Sequence, residues 1–226
     1  MGASLAKIQA AAAAFTRRDW AVELIVCDNN STDKTAAIAT AAGAKVVFEP
    51  INQIARARNC GAAAATGDWL VFVDADSHPS AELFDDVAEQ ILAGRCLAGG
   101  CTIRLDEFML VASLITRIWN LSSRWGRLMA GSFIFCETAA FREIGGFSHE
   151  LFAAEELELS ARLKRLAVVR GRKIVILHRH PLVTSARKMH LYTAREHLGF
   201  MWQAIFRQRQ TLGSRQASYL WYDGRR

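Results

Sequence analysis

The sequence has 226 residues, 51% of them hydrophobic and 22% charged, which is enough apolar material for one substantial core and excludes a disordered chain. Its formal charge of +6 is unevenly spread: residues 1–113 carry 9 Lys and Arg against 14 Asp and Glu, and residues 114–226 carry 19 against 8. No apolar run approaches the roughly 18 residues of a membrane span, and nothing at the N-terminus reads as a signal peptide, so a cytoplasmic address is expected.

Residues 1–20 read as a helix, with Leu5, Ile8, Ala12 and Phe15 recurring at spacings of three and four. The apolar run over 23–27 predicts a strand covered on both faces and ending at Asp28. Turn and capping residues Asn29 to Asp33 follow, then an alanine-rich helix over 34–42 stopped by Gly43. The unit repeats with a strand over 45–48, a breaker at Pro50, a helix over 54–65, a stop at Gly67, and a strand over 69–73 ending at Asp74. After Pro79, the acidic first turn with Glu82, Asp85 and Asp86 predicts a helix to about Ala93. This alternation predicts an α/β fold with a mixed, mainly parallel sheet flanked by helices.

Beyond Gly99 the rhythm changes: a strand near 101–105, a long amphipathic helix around 108–123, a strand near 132–136 and a Gly145-Gly146 turn. A helix over 155–166 and a strand over 173–177 come next. A further helix over 189–206 carries the apolar stripe Leu191, Ala194, Leu198, Met201, Trp202 and Ile205. One domain over 1–190 is expected, with 191–226 as a C-terminal helix and tail. The five cysteines form no Cys-x-x-Cys pair and read as reduced and inert.

In parallel sheets ligands gather beyond the carboxyl ends of strands. Asp28 and Asp74 each close such a strand, so the two are expected to converge. Asp74 and Asp76, at positions i and i+2 on a loop leaving a buried strand, can face one hard cation while diphosphate oxygens and water fill its remaining sites. Mg²⁺ or Mn²⁺ suits that donor set.

Three segments occur in order: Cys27-Asp28-Asn29-Asn30-Ser31-Thr32-Asp33-Lys34-Thr35, Ala57-Arg58-Asn59-Cys60-Gly61, and Gly67-Asp68-Trp69 through Asp74-Ala75-Asp76. Together with Gly131-Ser132-Phe133, Phe141 through Phe147, and Ala154-Glu155-Glu156 through Leu163, they resemble the family 2 glycosyltransferases of the GT-A fold over residues 1–190. The resemblance implies an inverting transfer of a hexosyl or related glycosyl unit from a UDP- or GDP-sugar, of the kind found in bacterial enzymes. It implies that Asp28 meets the donor's base, Arg58 lies near the nucleotide, and Asp74 and Asp76 meet ribose, diphosphate and metal. The base acting on the acceptor hydroxyl would come from Glu155-Glu156, with Glu156 where the family commonly has Asp. Either His178 or His180 would approach the metal, and Arg187 and Lys188 the diphosphate.

Structural readings stand beside these: Asp28 as a turn-capping carboxylate, Arg56 or Arg58 as an exposed helix charge, the glutamates as helix-terminus charges, and the histidines as surface-loop residues. The family normally begins with a strand ending in a Pro-x-Tyr-Asn-Glu-like segment, which is not found before the first helix here. A non-catalytic or truncated nucleotide-sugar binder is therefore the alternative function, and a phosphohydrolase of the haloacid dehalogenase type is a weaker one. The acceptor stays open between lipid and saccharide, and nucleic acid is not expected. The basic C-terminal helix, with Arg187, Lys188, Arg195, Arg207 and Arg209, suits peripheral contact with the inner face of a membrane, and its stripe equally suits core packing or a homodimer.

Overall fold

The computed structural model describes residues 1–186. Alanine-rich helices and short apolar strands build its N-terminal part, in the order α1 (Gly2–Thr16), β1 (Ile25–Asp28), α2 (Thr35–Ala41), β2 (Lys45–Phe48), α3 (Ile54–Ala63) and β3 (Trp69–Val73). β1 and β2 pair in parallel from Ile25 opposite Lys45 to Asp28 opposite Phe48. Asn29 ties their ends together: its Nδ2 donates to the carbonyls of Glu49 and Ile51, and its Oδ1 accepts from the Gln53 N–H.

The remainder adds β4 (Ser77–His78), α4 (Ala81–Leu92), β5 (Cys96–Leu105), α5 (Leu110–Gly126), β6 (Phe133–Glu137), α6 (Thr138–Glu143), α7 (Glu155–Val169) and β7 (Lys173–Thr184). Five strands form a second sheet in the order β3-β6-β5-β7-β4. β5 and β7 run parallel, whereas β6 is antiparallel to β3 and β5, and β4 is antiparallel to β7. The α/β architecture with flanking helices is as expected, but the sheet is divided into two parts. Antiparallel pairings dominate the larger part because β6 runs against both its neighbours.

Alternation along β6 separates two cores, as the two-residue strand period requires. Ile134 and Cys136 join Leu97, Phe141, Phe147, Leu159 and Leu163 on the face covered by α3, α6 and α7. Phe133 and Phe135 join Phe15, Leu83, Phe84 and Leu177 on the face covered by α1 and α4. β5 can lie between them because it is small: a Cβ on Gly99 would stand 2.5 Å from Phe135 Cζ and 2.6 Å from the Val175 carbonyl oxygen.

α5 packs differently from the other helices. Its inward residues are small or polar, with Ala112 and Ser123 buried and Asn120 exchanging hydrogen bonds of 3.0 and 2.9 Å with the Ile103 backbone. Its outward residues are large and apolar. No helix among the described residues is long and apolar enough to cross a membrane. The expected helix over 189–206, Arg187, Lys188 and the tail lie outside the described residues.

Candidate active site

α3 places Arg58 at the centre of the site. Small neighbours such as Ala55 and Ala62 let this helix sit close to the core, and Arg58 extends from it with its side chain only 11% exposed. Its Nη1 donates to Glu155 Oε1 at 2.8 Å, and its Nη2 donates to Asp74 Oδ1 at 2.9 Å and to the Gly131 carbonyl at 2.7 Å. The guanidinium carbon lies 5.2 Å from the centre of the Phe147 ring, within cation–π range. Burial disfavours the charge, but Asp74 and Glu155 raise the Arg58 pKa above its ordinary value. Arg56, by contrast, donates to Gln53 Oε1 and stays outside this cluster.

The next residue orders the opposite wall. Asn59 Oδ1 accepts from the Phe147 N–H at 2.9 Å, and its Nδ2 donates to the Phe147 carbonyl at 2.8 Å. Buried Gln53 performs a similar task, its Nε2 donating to the carbonyls of His149 and Leu151. Arg162 of α7 donates to the Ile144 and Gly146 carbonyls, holding the Gly145-Gly146 turn from the other side. Gln53, Asn59, Phe147 and Gly131 were not assigned roles from sequence. Polar residues among small ones on α3 and just before it are the signal that could have found Gln53 and Asn59.

Glu155 and Glu156 open α7, after Ala154 in a left-handed conformation with φ of 58°. Such a conformation is uncommon without glycine and fixes how the helix enters the site. Glu155 is buried, and burial raises its pKa against the opposing charge of Arg58. For Glu156, burial and then the neighbouring Glu155 carboxylate push the pKa up to about 7, a range suited to taking a proton at neutral pH. Gly131 lies against both groups, since an added Cβ would stand 3.3 Å from Glu156 Cδ and 3.4 Å from Arg58 Nη2.

Asp74 leaves β3 with its side chain 38% exposed, engaging Arg58 through one oxygen. Asp76 engages no described hydrogen-bond or ion-pair partner. The two carboxylates therefore have free oxygens for a hard cation, and no group of three or more His, Cys, Asp or Glu able to hold a metal occurs among the described residues. That donor set fits a cation whose remaining positions are filled by a diphosphate and water.

Asp28 and Asp74 stand on two different sheets. Asp28 Oδ1 accepts from the Ser31 N–H at 2.9 Å, closing the turn after β1, and no described bond joins it to the Arg58 cluster. α3, packed against β1 and β2, connects the two regions by sending Arg58 to Asp74.

The structure sets both histidines on an irregular stretch of β7. The pairing of β5 with β7 jumps from Cys101 opposite Leu177 to Ile103 opposite Leu182, so His178 to Pro181 form a bulge. His180 Nδ1 lies 3.1 Å from Asp86 Oδ2 of α4, and His178 is exposed. The bulge brings Arg179 and His180 to Asp86 of α4, while the strand residues opposite Ser77 and His78 are Thr184 and Val183. No hydrogen bond joins either histidine to Asp74 or Asp76 among the described residues.

Residues 7–135, more than half of the chain, match the glycosyl transferase family 2 pattern. The chain is 42% identical over 82 residues to a TPR repeat-containing protein of Synechococcus elongatus, covering 36% of this chain and 20% of that protein. It is 40% identical over 73 residues to an uncharacterized glycosyltransferase of Rickettsia bellii, covering 32% and 24%. The matched stretch is thus less than a quarter of each relative's length.

Solved structures share the fold. TarS of S. aureus, residues 1–349, superposes with a TM-score of 0.58 at 18% identity, covering 89% of this chain and 61% of that one. A mannosyltransferase from Pyrobaculum calidifontis in complex with GDP-Man and Mn²⁺ gives 0.60 at 16% identity, covering 84% and 53%. Glucosyl-3-phosphoglycerate synthase from Mycobacterium tuberculosis, in complex with Mn²⁺, UDP-glucose and phosphoglyceric acid, gives 0.59 at 19% identity, covering 93% and 77%. A pattern match of this extent, on an α/β scaffold common to these structures, makes the chain a member of glycosyl transferase family 2 with the GT-A fold.

Proposed function

We propose that the chain transfers a sugar from a UDP- or GDP-sugar to an acceptor hydroxyl, with inversion. The observation that carries this reading is the Arg58 bridge from Asp74 to Glu155, which puts the end of β3 and the acidic start of α7 into one cluster with Glu156. Mn²⁺-containing complexes of two structural neighbours, one with GDP-Man and the other with UDP-glucose, support the donor class and the divalent ion.

In this reading Glu156 takes the proton of the acceptor hydroxyl as its oxygen bonds to the anomeric carbon. The bond from that carbon to the diphosphate breaks, and the electron pair leaves with the diphosphate. Attack opposite the leaving group inverts the sugar. Asp76 and Asp74 would hold Mg²⁺ or Mn²⁺, which would offset the charge gathering on the departing diphosphate. Arg58 holds Asp74 and Glu155 in position, and Asp28 contributes to the base pocket. Residues 1–190 act as the catalytic domain and 191–226 as an extension, in a cytoplasmic protein.

Calorimetric titration of UDP and GDP with and without Mn²⁺ tests the donor site. Metal-dependent binding that Asp76→Ala abolishes is expected, and binding indifferent to both changes would overturn the assignment. Glu156→Gln should bind the nucleotide as before and lose turnover. A wild-type chain that binds but never turns over any donor would instead be a nucleotide-sugar binder.

A further inference from the structure

α5 is built inside out. Its stripe Leu110, Leu114, Ile118, Leu121 and Trp125 recurs at spacings of four, four, three and four, and therefore runs along one side of the helix. That side points away from the core: Leu114 is 58% exposed, Ile118 57% and Trp125 96%. Meanwhile Ala112, Asn120 and Ser123 face the protein. A contiguous apolar face of this length is costly in water and marks a contact surface.

Charge selects the occupant. Arg117 and Arg124, seven residues apart, lie along one edge of the stripe, and α5 contains no Asp or Glu. A second copy of α5 would bring arginines and no carboxylates. The C-terminal segment is no better matched, because residues 187–226 hold eight Lys and Arg against two Asp and Glu. That segment also departs from the α5 end of the molecule, since the Ala186 N–H donates to Asp106 Oδ1 at 2.7 Å, four residues before α5. An apolar face edged by arginines is complementary to a surface that is both apolar and anionic.

We propose that the outward face of α5 docks in the plane of an anionic phospholipid bilayer. Leu114, Ile118 and Leu121 enter the acyl boundary, Trp125 lies at the headgroup level, and Arg117 and Arg124 reach the phosphates.

The test is sedimentation of the full chain with sucrose-loaded vesicles of phosphatidylcholine alone or of phosphatidylcholine with phosphatidylglycerol. Binding is expected to the anionic vesicles and to fall with added salt. Leu114→Glu with Ile118→Glu should lower it about 100-fold, leaving the circular dichroism spectrum and melting temperature unchanged because both side chains are exposed. Arg117→Gln with Arg124→Gln should weaken binding several-fold and flatten its salt dependence. The proposal is overturned if the wild type does not sediment, or if the double glutamate variant binds as well as the wild type. A dimer dispersed by the glutamates without vesicle binding would assign the face to a second copy. A lowered melting temperature without vesicle binding would assign it to the chain's own C-terminal segment. Because vesicle binding is read without any donor, its outcome is separate from that of the glycosyl-transfer reading.

Discussion

Arg58 and Glu155 form a buried ion pair at 2.8 Å across 97 residues of sequence, with side chains 11% and 5% exposed. The same guanidinium also holds Asp74 and the Gly131 carbonyl, so its planar fork fixes three elements at once. Removing it leaves a buried carboxylate without its partner. Arg58→Ala is expected to destabilise the fold by about 3–5 kcal/mol. Arg58→Lys keeps the charge but cannot reach three acceptors, and should still cost about 2 kcal/mol. Urea unfolding measures both, and a loss under about 1 kcal/mol for the alanine variant would mean the network contributes little.

Gly131 reports on placement rather than stability. Its missing side chain leaves room for Glu156 and Arg58, and a Cβ at 3.3 Å from Glu156 Cδ would displace that flexible carboxylate. Gly131→Ala should lower kcat about tenfold or more, since small misplacements of a reacting group are felt strongly. Nucleotide affinity and melting temperature should change little. Unchanged kcat in this variant would argue against Glu156 as the base.

The parts legible in the sequence were those governed by local pattern. β2 and β3 occupy the residues expected of them, because a short apolar run between helix stops has few other ways to fold. β5 begins at Cys96, earlier than the strand expected near 101–105, and runs through Gly99 and Gly100. Their small size is needed for close approach to Phe135 and Met129, which only the three-dimensional contacts reveal. The local backbone around the histidines was hidden for a related reason. The expected strand ended at 177, whereas β7 continues to Thr184 through a bulge over 178–181 that hands His180 to Asp86. Asp74 and Arg58 were identifiable as motif residues, but their direct pairing required knowing that α3, packed against β1 and β2, carries Arg58 to the end of β3.

The Gly146 turn should be among the positions least tolerant of a side chain. Its φ is +68°, and an added Cβ would stand 2.6 Å from Asn59 Oδ1, the atom that accepts from the Phe147 N–H. Gly146→Ala therefore combines backbone strain with displacement of Asn59, and about 2–3 kcal/mol of destabilisation is expected. Asn59→Ala should also loosen the Phe147 loop by freeing its N–H and carbonyl. Gly145 also has positive φ, at 79°, but a Cβ there would meet nothing within 4 Å. Gly145→Ala is accordingly the milder change, and comparison of the two melting temperatures separates strain from contact.

Glu156 links stability and activity in opposite directions of pH. Burial and the adjacent Glu155 carboxylate raise its pKa from the ordinary 4.5 to about 7, so the folded protein favours its protonated form. Its contribution to stability is fully present below pH 4.5 and is lost as pH rises through about 7. In its proposed role as base it works only when ionised, so kcat should climb over the same interval and level off above about 7. Glu156→Gln should remove that part of the pH dependence of stability while abolishing turnover. Unfolding free energies at pH 5 and pH 8, measured for wild type and variant, give the first result, and a kcat profile gives the second. Equal pH dependence in the two proteins would show that Glu156 is already ionised at pH 5, and would remove the physical basis for its base role near neutrality.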